Sequence, residues 1–310
     1  MDFEPSAEQR AILEAAGQLL AQHAGAARAI SLAQKGEYDS SLEGALDAAG
    51  FTDAALGEGT GPLEAALLVE AIAKAGGTVA CGAALLVAPC VARRRLPGPI
   101  ALVGVSDEGP VRFGAHARTL LVADGDEARV VSLPLGSAAP VRSNFGYPLG
   151  RVPAELRRGG ESLGRGSGER LRAWWRVALA CECVGAMSAA LAVTVAYLSQ
   201  RKQFGRPIGS FQAVQHRLAE CAVQLEGSRW LAYEAAAQGA PAELAATAAA
   251  YATSAAKRVF GETHQLSGAI GYTHEHDLHV FSMRLQALRL ELGGVAAHRA
   301  ALAEARWARP

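Results

Sequence analysis

The sequence predicts a mainly α protein with a small β insert, in which two helical regions flank the insert. Three observations predict this fold class: apolar residues recur at helical spacing before residue 96, short β-type runs follow, and helical spacing returns from Arg170. At 310 residues the chain is long enough for more than one domain. The expected divisions are an N-terminal helical domain over 1–96, a β-domain over 97–150, a linker over 151–169 and a C-terminal domain over 170–310.

The N-terminal domain is predicted to open with a capped helix. Ser6 followed by Gln9 fits a capping box at the start of SAEQRAILEAAGQLLAQHA, where apolar residues recur at helical spacing. A second helix is expected to end at Gly50. A third is expected to run from Pro62, a favoured first helical residue, to the glycine pair that begins at Gly76.

The next segment changes to β-type composition. The runs ALVGV, TLLVA and ARVVSL are short and apolar, and turns rich in aspartate and glycine separate them, so they predict strands. The segment that follows, RSNFGYPLGRVPAELRRGGESLGRGSGE, is rich in glycine, proline and arginine. We interpret it as a loop or linker.

Four long helices are predicted from Arg170 onward, and glycine and proline residues mark their ends. Short connections between long helices favour antiparallel neighbours, which predicts an antiparallel four-helix bundle. The expected limits of these helices are 170–201, 208–239, 241–268 and 276–307.

Composition narrows the classes of function. Lys+Arg and Asp+Glu balance at 30 each, so the chain lacks the net basic charge that favours binding to nucleic acids or anionic membranes. No apolar run is expected to reach the length of a membrane span, and the acidic, polar start MDFEPSAEQR is unlike a signal peptide. The five cysteines are odd in number and scattered, which favours a reduced, cytoplasmic setting.

The stretch RKQFGRPIGSFQAVQHRLAE, residues 201–220, places a cationic and aromatic corner between two predicted helices. One interpretation is a solvated helix C-terminus, where basic residues suit the helix dipole. The other is a ligand contact, in which an arginine binds a pyrophosphate and Phe204 packs on a planar ring. The residues alone leave both open.

A second stretch, QLSGAIGYTHEHDLH, covers residues 265–279. It is either a glycine-broken helix end or a place where Gly268 and Gly271 let backbone approach a ligand, with Gln265 supplying an amide contact. Its three histidines lack the H-E-x-x-H spacing of a zinc site, and we expect no metal.

These two stretches carry a family resemblance. The pattern R-x-Q-F-G-x-P-I-x-x-F-Q-x-V-Q-H-x-L-A-E, followed by Q-L-x-G-x-x-G-Y-T-x-E, resembles the C-terminal domain of the flavin-dependent acyl-CoA dehydrogenases. The resemblance is strong over 175–310 and weaker at the N-terminus, where MDFEPSAEQRAILEAA resembles the family's opening helix. The phrase GAIGYTHEHDLHVF resembles the subgroup that acts on steroid or other bulky acyl-CoA esters, often as two-gene heterotetramers.

The resemblance implies an N-terminal helical domain, a middle β-domain that holds the flavin ring, and a C-terminal four-helix bundle that assembles a tetramer. It also implies FAD as cofactor and an acyl-CoA as substrate. The middle domain of this chain is reduced, and the family's flavin-contacting run of Thr-Glu-Pro, Gly-Ser-Asp and a Trp-x-Thr strand has no match.

Residues of both motifs reach, in this family, across a subunit interface to the ADP half of the neighbour's FAD. The resemblance transfers that role to residues of the two stretches quoted above. The cofactor-binding residues it implies here are Arg201, Phe204, Gln265 and Gly268, with Gln212 nearby.

The family's catalytic base is a glutamate that removes the α-proton while the flavin takes a β-hydride. Its two alternative positions correspond to Leu292 and Trp175, and neither is a carboxylate. The nearest acids are Glu291, one residue off and so rotated away by about 100°, and Glu182, two helical turns beyond Trp175 on the same face. Glu182 is either a displaced base or a polar residue satisfied inside the bundle, so the catalytic residue stays unassigned.

The chain resembles the family at the residues that contact the ADP half of FAD, but not at the flavin-ring run or at the catalytic base. This combination suggests that two different chains form one active site together. The favoured hypothesis is a non-catalytic subunit that completes the FAD site of a longer catalytic partner in a heterotetrameric acyl-CoA dehydrogenase, which introduces an α,β double bond into an acyl-CoA thioester. The alternatives are a self-sufficient homo-oligomeric dehydrogenase with Glu182 or Glu291 as base, and a non-enzymatic helical scaffold. The residues leave the acyl group of the substrate open.

Overall fold

The structure is a computed structural model that describes residues 4–307. Expectations that fall on residues 1–3 and 308–310 lie outside the described residues. Within the described range the chain is mainly helical, and a small β region separates an N-terminal helical region from a C-terminal bundle. The predicted fold class is therefore confirmed.

Five helices form the N-terminal region: α1 (Ala7–His23), α2 (Ala26–Lys35), α3 (Ser40–Ala48), α4 (Pro62–Lys74) and α5 (Ala88–Ala92). The capping box forms as predicted, because the Ser6 hydroxyl accepts from the Gln9 amide and the Gln9 side chain accepts from the Ser6 amide. The prediction of two helices before Gly50 was wrong by one. Gly25 and Gly36 have positive φ and divide that segment.

Two small sheets follow α5. Their strands are β1 (Ile100–Gly104), β2 (Val111–Arg112), β3 (Thr119–Asp124), β4 (Glu127–Ser132), β5 (Ala139–Val141), β6 (Leu149–Arg151) and β7 (Glu161–Arg165). The larger sheet has the order β1-β3-β4-β7, with β1 parallel to β3 and the other pairs antiparallel. The smaller, antiparallel sheet has the order β2-β6-β5. The three predicted β-runs are confirmed as β1, β3 and β4.

The segment 151–169, predicted to be a linker, contributes a strand to the larger sheet. Strand β7 pairs with β4 at the sheet edge. Gly160 has a φ of 87° and brings the chain so close to β4 that an added Cβ would lie 2.2 Å from the carbonyl oxygen of Val130. The prediction missed β7 because most of its side chains are exposed, so it lacks the apolar alternation by which strands are recognised.

The C-terminal region is a helical bundle of α6 (Ser167–Gln200), α7 (Gln212–Ala237), α8 (Ala242–Ser267), α9 (Leu278–Leu288) and α10 (Gly294–Trp307). A short hairpin, β8 (Lys202–Gln203) and β9 (Arg206–Pro207), connects α6 to α7. The single last helix predicted over 276–307 is wrong, since α9 and α10 are separate. Leu292, Gly293 and Gly294 all have positive φ, and a left-handed backbone ends an α-helix.

Helix α6 is the centre of the molecule, packed against α4, against α7, α8 and α9, and against β3 and β4. It is the one described helix long and apolar enough to cross a membrane, with a hydropathy of 1.8, contrary to the expectation of no such run. Since 83% of that apolar window is buried inside the protein, its position in the core accounts for its composition.

Close packing of α4 on α6 depends on Gly185. A Cβ at this position would lie 2.4 Å from the carbonyl oxygen of Glu70 and 2.8 Å from the amide nitrogen of Lys74. Both are backbone atoms of α4. A larger side chain therefore requires α4 itself to move away from α6.

We expect Gly185→Ala to lower the free energy of unfolding by about 1–3 kcal/mol, as overpacking in a core typically does. Gly261→Ala is the matched control, because Gly261 is exposed within α8 and an added Cβ would meet nothing within 4 Å. This control should gain up to about 1 kcal/mol from helix propensity. Urea unfolding followed by circular dichroism measures both, and equal effects would contradict the packing explanation.

Candidate functional site

A cavity of about 700 Å³ lies where the N-terminal region, the β region and the bundle meet. Strand β2 contributes Arg112 to its wall, and α6 contributes Trp175 and Glu182. The break between α9 and α10 contributes Glu291 and Leu292. Every residue that the sequence relates to the catalytic base therefore lies around one cavity.

Arg112 binds both candidate carboxylates at once. Its Nη1 lies 2.6 Å from Oε2 of Glu182, and its Nε lies 2.7 Å from Oε1 of Glu291. The indole nitrogen of Trp175 donates to Oε2 of Glu291 at 2.7 Å. The two acids and the arginine thus form one ion cluster, in which Trp175 holds the second acid in place.

Burial sets the electrostatics of this cluster. Glu182 is 2% exposed, and its Oε1 accepts a hydrogen bond from the Gly82 amide at 3.3 Å. Desolvation raises the pKa of Glu182, while Arg112 acts in the opposite direction. Desolvation also opposes the charge of Arg112, but Glu182 and Glu291 outweigh it and hold the pKa of Arg112 well above its usual value.

A second buried arginine extends the cluster away from the cavity. The ring of Tyr147 lies between two guanidinium groups, 5.0 Å from that of Arg112 and 4.8 Å from that of Arg284. Arg284 is 1% exposed and donates to the carbonyl oxygen of Gly77 and to the hydroxyl of Thr78, both at 2.8 Å. Burial raises the pKa of Tyr147, which therefore stays a neutral phenol.

The structure corrects the expectation for Glu291. The predicted 100° rotation away from the site assumed a continuous helix, but Leu292 has a φ of 51° and the helix is broken there. The side chain of Glu291 therefore lines the cavity and meets Arg112. Glu182 and Trp175 share a face of α6, as the sequence predicts, and both line the cavity.

Sequence reasoning missed Arg112, Tyr147 and Arg284. The only signal for Arg284 is a lone arginine among apolar residues in LHVFSMRLQAL. Nothing near Arg112 in the sequence points to its partner Glu291, since the two are 179 residues apart. As folded, the cluster binds both carboxylates to a cation, whereas a general base needs a carboxylate free to take a proton.

The hairpin after α6 presents the first group of expected flavin contacts. Phe204 and Gly205, with φ of 54° and 78°, form its two-residue turn. The Phe204 side chain is 91% exposed. Arg201 is exposed at the start of the hairpin and forms no ion pair within residues 4–307, while its carbonyl accepts from the Ile208 amide at 2.8 Å.

The second group lies where α8 ends. Gln265 and Gly268 are exposed, and Gly268 has a φ of 64° with open space around it. Successive antiparallel helices bring the C-terminal ends of α6 and α8 to the same end of the bundle. The rings of Tyr197 and His276, whose centroids are 5.4 Å apart, join the two ends. Gln212 is exposed at the first residue of α7, at this same end.

The Arg112 cluster can be tested by removing its cation. In Arg112→Met the buried Glu182 and the partly buried Glu291 lose their shared partner, so we expect the free energy of unfolding near neutral pH to fall by about 3–5 kcal/mol. The pKa of Glu182, already raised by burial, should rise further without Arg112. The loss should therefore shrink as pH falls through that raised pKa toward the unfolded value of about 4.3, because protonation removes the buried charge.

The control adds Glu182→Gln and Glu291→Gln to Arg112→Met. This triple variant keeps the volumes but holds no charge, so it should recover most of the lost stability and show little of the pH dependence. Chemical denaturation at about pH 5 and about pH 7 measures both variants. If Arg112→Met alone were as stable as the parent protein at neutral pH, the cluster would not be held together by ion pairing.

Comparisons with known proteins bear on the C-terminal bundle and on the fold. A family model for the acyl-CoA dehydrogenase C-terminal domain matches residues 170–306. The acyl-CoA dehydrogenase IpdE2 of Mycobacterium tuberculosis is 42% identical over 108 residues, which are 35% of this chain and 34% of that protein. Matches to two further relatives cover 37% and 27% of their length, so the chain spans only a minor part of the curated relatives it matches.

Two solved structures share the fold across the chain. The ChsE4-ChsE5 complex from Mycobacterium tuberculosis matches with a TM-score of 0.82 at 22% identity, over 100% of this chain and 100% of that chain. The Tcur3481-Tcur3483 steroid ACAD matches with a TM-score of 0.82 at 24% identity, over 96% and 97% of the two chains. The C-terminal bundle therefore matches the acyl-CoA dehydrogenase C-terminal domain, and the described chain has the fold of these acyl-CoA dehydrogenase structures.

Proposed function

We propose that this chain is a non-catalytic subunit of an FAD-dependent acyl-CoA dehydrogenase and completes the FAD site of a catalytic partner. The main observation that supports this proposal is the Arg112 cluster, in which Glu182 and Glu291 both form ion pairs with the arginine. Introducing an α,β double bond requires a base at the α-carbon and a hydride acceptor at the β-carbon. FAD, when bound, supplies the acceptor, and the base then has to come from the partner.

The lack of a free base is reinforced by the residues at the family's two base positions. Trp175 fills one and donates its indole N–H to Glu291. Leu292 fills the other in a left-handed conformation. Neither side chain accepts a proton, so proton abstraction at this cavity requires a carboxylate to leave Arg112, at the cost of an unpaired buried charge.

The end of the bundle that carries the hairpin suits the ADP half of a partner's FAD. Arg201 offers a cation without a partner in the described chain, and Phe204 offers an almost fully exposed ring. Gly268 offers backbone with open space around it, and Gln265 an exposed amide. A cation for pyrophosphate, a flat apolar surface and unhindered backbone are what a dinucleotide requires.

A longer acyl-CoA dehydrogenase chain in a heterotetramer is the partner we propose. The ChsE4-ChsE5 match is a complex of two different proteins, and the match named a steroid ACAD points toward a bulky acyl-CoA substrate. We also place the protein in the cytoplasm, because its five cysteines are buried free thiols, as a reducing compartment favours.

A second candidate function is a self-sufficient dehydrogenase. It is favoured by one observation, that Glu182 and Glu291 both line the cavity. The test is exchange of the α-proton of an acyl-CoA into deuterated solvent by the isolated chain, followed by mass spectrometry. We expect no exchange above background. Exchange that disappears in Glu182→Gln or Glu291→Gln would establish this second function in place of the first.

The proposed FAD contact is tested by Arg201→Ala in the complex with the catalytic chain. Loss of a charge-assisted contact to pyrophosphate, worth roughly 1.5–3 kcal/mol, should weaken FAD retention about 10-fold or more. Lys202→Ala is the matched control, because it removes a positive charge from the adjacent exposed residue. Flavin absorbance after gel filtration, together with titration of the apo-complex, measures retention.

Equal retention by both variants would contradict the assignment of Arg201. The parent complex should hold about one flavin for each pair of chains, and the chain alone should hold little. A complex that never holds flavin would instead favour the non-enzymatic scaffold. Stoichiometric flavin on the isolated chain would overturn the proposed division of labour.

A further inference from the structure

The cavity has a second charged wall that the Arg112 cluster does not use. Arg172 and Arg176 lie one turn apart on α6, and both line the cavity. Neither forms an ion pair with a carboxylate in the described part of the chain. Arg172 donates to the carbonyl oxygen of Gly125 at 2.8 Å, whereas Nε of Arg176 is buried without a hydrogen-bond partner.

This arrangement is unfavourable in the chain as described. Like charges at i,i+4 spacing repel each other, and a buried N–H without an acceptor loses its hydration without replacement. An anion bound between Arg172 and Arg176 would relieve both, since it attracts the two charges and accepts from the free N–H.

Neighbouring groups do not supply that anion. Burial and then the charge of Arg172 lower the pKa of Arg176, and Glu169 and Glu304 oppose them more weakly. His298 on α10 is 0% exposed, and neither ring nitrogen has a hydrogen-bond partner. Burial and the charge of Arg176 lower the pKa of His298 to about 4, so it is neutral at neutral pH.

The remainder of the cavity is largely apolar. Its volume of about 700 Å³ is in the range of small-molecule sites. Glu182 and Glu291 are already paired with Arg112, and Asp107 accepts from the Gly104 amide at 2.7 Å. Glu108, the fourth acidic residue of the lining, is exposed and forms no ion pair with Arg172 or Arg176. The apolar side chains that line the space include those of Leu102, Val105, Phe145, Leu149, Leu290 and Leu292.

We propose that this cavity binds an amphipathic organic carboxylate, with the carboxylate between Arg172 and Arg176 and the apolar body against the leucine and phenylalanine side chains. Binding changes no covalent bond, so the cavity holds this ligand without converting it. The proposal goes beyond the proposed function, because it requires neither FAD nor a partner chain.

The test is isothermal titration calorimetry of the isolated full chain with octanoate and with 1-octanol, a neutral probe of equal chain length. One octanoate should bind per chain, at least about 10-fold tighter than 1-octanol. Arg176→Gln should weaken octanoate binding about 10-fold or more and leave 1-octanol unchanged. Arg176→Lys, which keeps the charge, should retain part of the preference and covers the case in which the glutamine variant misfolds.

The matched control is Arg10→Gln, since Arg10 is exposed on α1 and does not line the cavity. It should bind both probes like the parent chain. Equal affinity for the two probes, no binding of octanoate, or octanoate binding unaffected by Arg176→Gln would each overturn the proposal. Binding of octanoyl-CoA without binding of octanoate would do so too, because the free carboxylate would not be the recognised group. Flavin retention by the complex tests Arg201 at the hairpin, so the two proposals can fail separately.

Discussion

A guanidinium buried away from water keeps its proton, and the fold around Arg112 is arranged to satisfy that charge. The arginine belongs to β2, one of its carboxylates to α6, and the other to the break after α9. Each region leaves an uncompensated buried charge if it separates from the other two. The β region and the bundle are therefore joined by a requirement of charge neutrality as well as by apolar packing, and the α9–α10 break is what brings Glu291 within reach.

The Arg112 cluster and the hairpin differ in whether their charges are paired within the described chain. Within the Arg112 cluster both carboxylates are paired with the arginine, and the ring of Tyr147 lies between Arg112 and the buried Arg284. At the hairpin the Arg201 side chain and the Phe204 ring are exposed to solvent. A chain that pairs both candidate base carboxylates with Arg112 and exposes a cation and an aromatic ring on its surface is suited to completing a site that lies mostly on another molecule.

Much of this fold could be predicted because its long helices and main strands have clear periodicity, and the capping box at Ser6 is local. The α9–α10 break has a signal that the prediction missed, because the pair Gly293–Gly294 marks a helix end as the pair at Gly76 does. The positive φ of Leu292 could not be predicted, since leucine favours helices. The ion cluster escaped prediction for a different reason. Pairing of Arg112 with Glu291 depends on long-range topology, which one sequence does not contain. Residue resemblance identified Arg201 and Phe204 as candidates, and their exposure agrees with that role without testing it.

The exposed hairpin also has a consequence for the expression of this chain. A phenylalanine ring held in water on a rigid turn is a poor state for a chain on its own, because exposed apolar surface favours unspecific association. Binding a partner would remove that surface and stabilise the folded chain by mass action. Synthesis of this chain in excess of its partner would leave orphan copies with Phe204 uncovered, and matched expression of the two would avoid them. Under the proposed function, the hairpin thus links the chain's solubility to the supply of the partner chain.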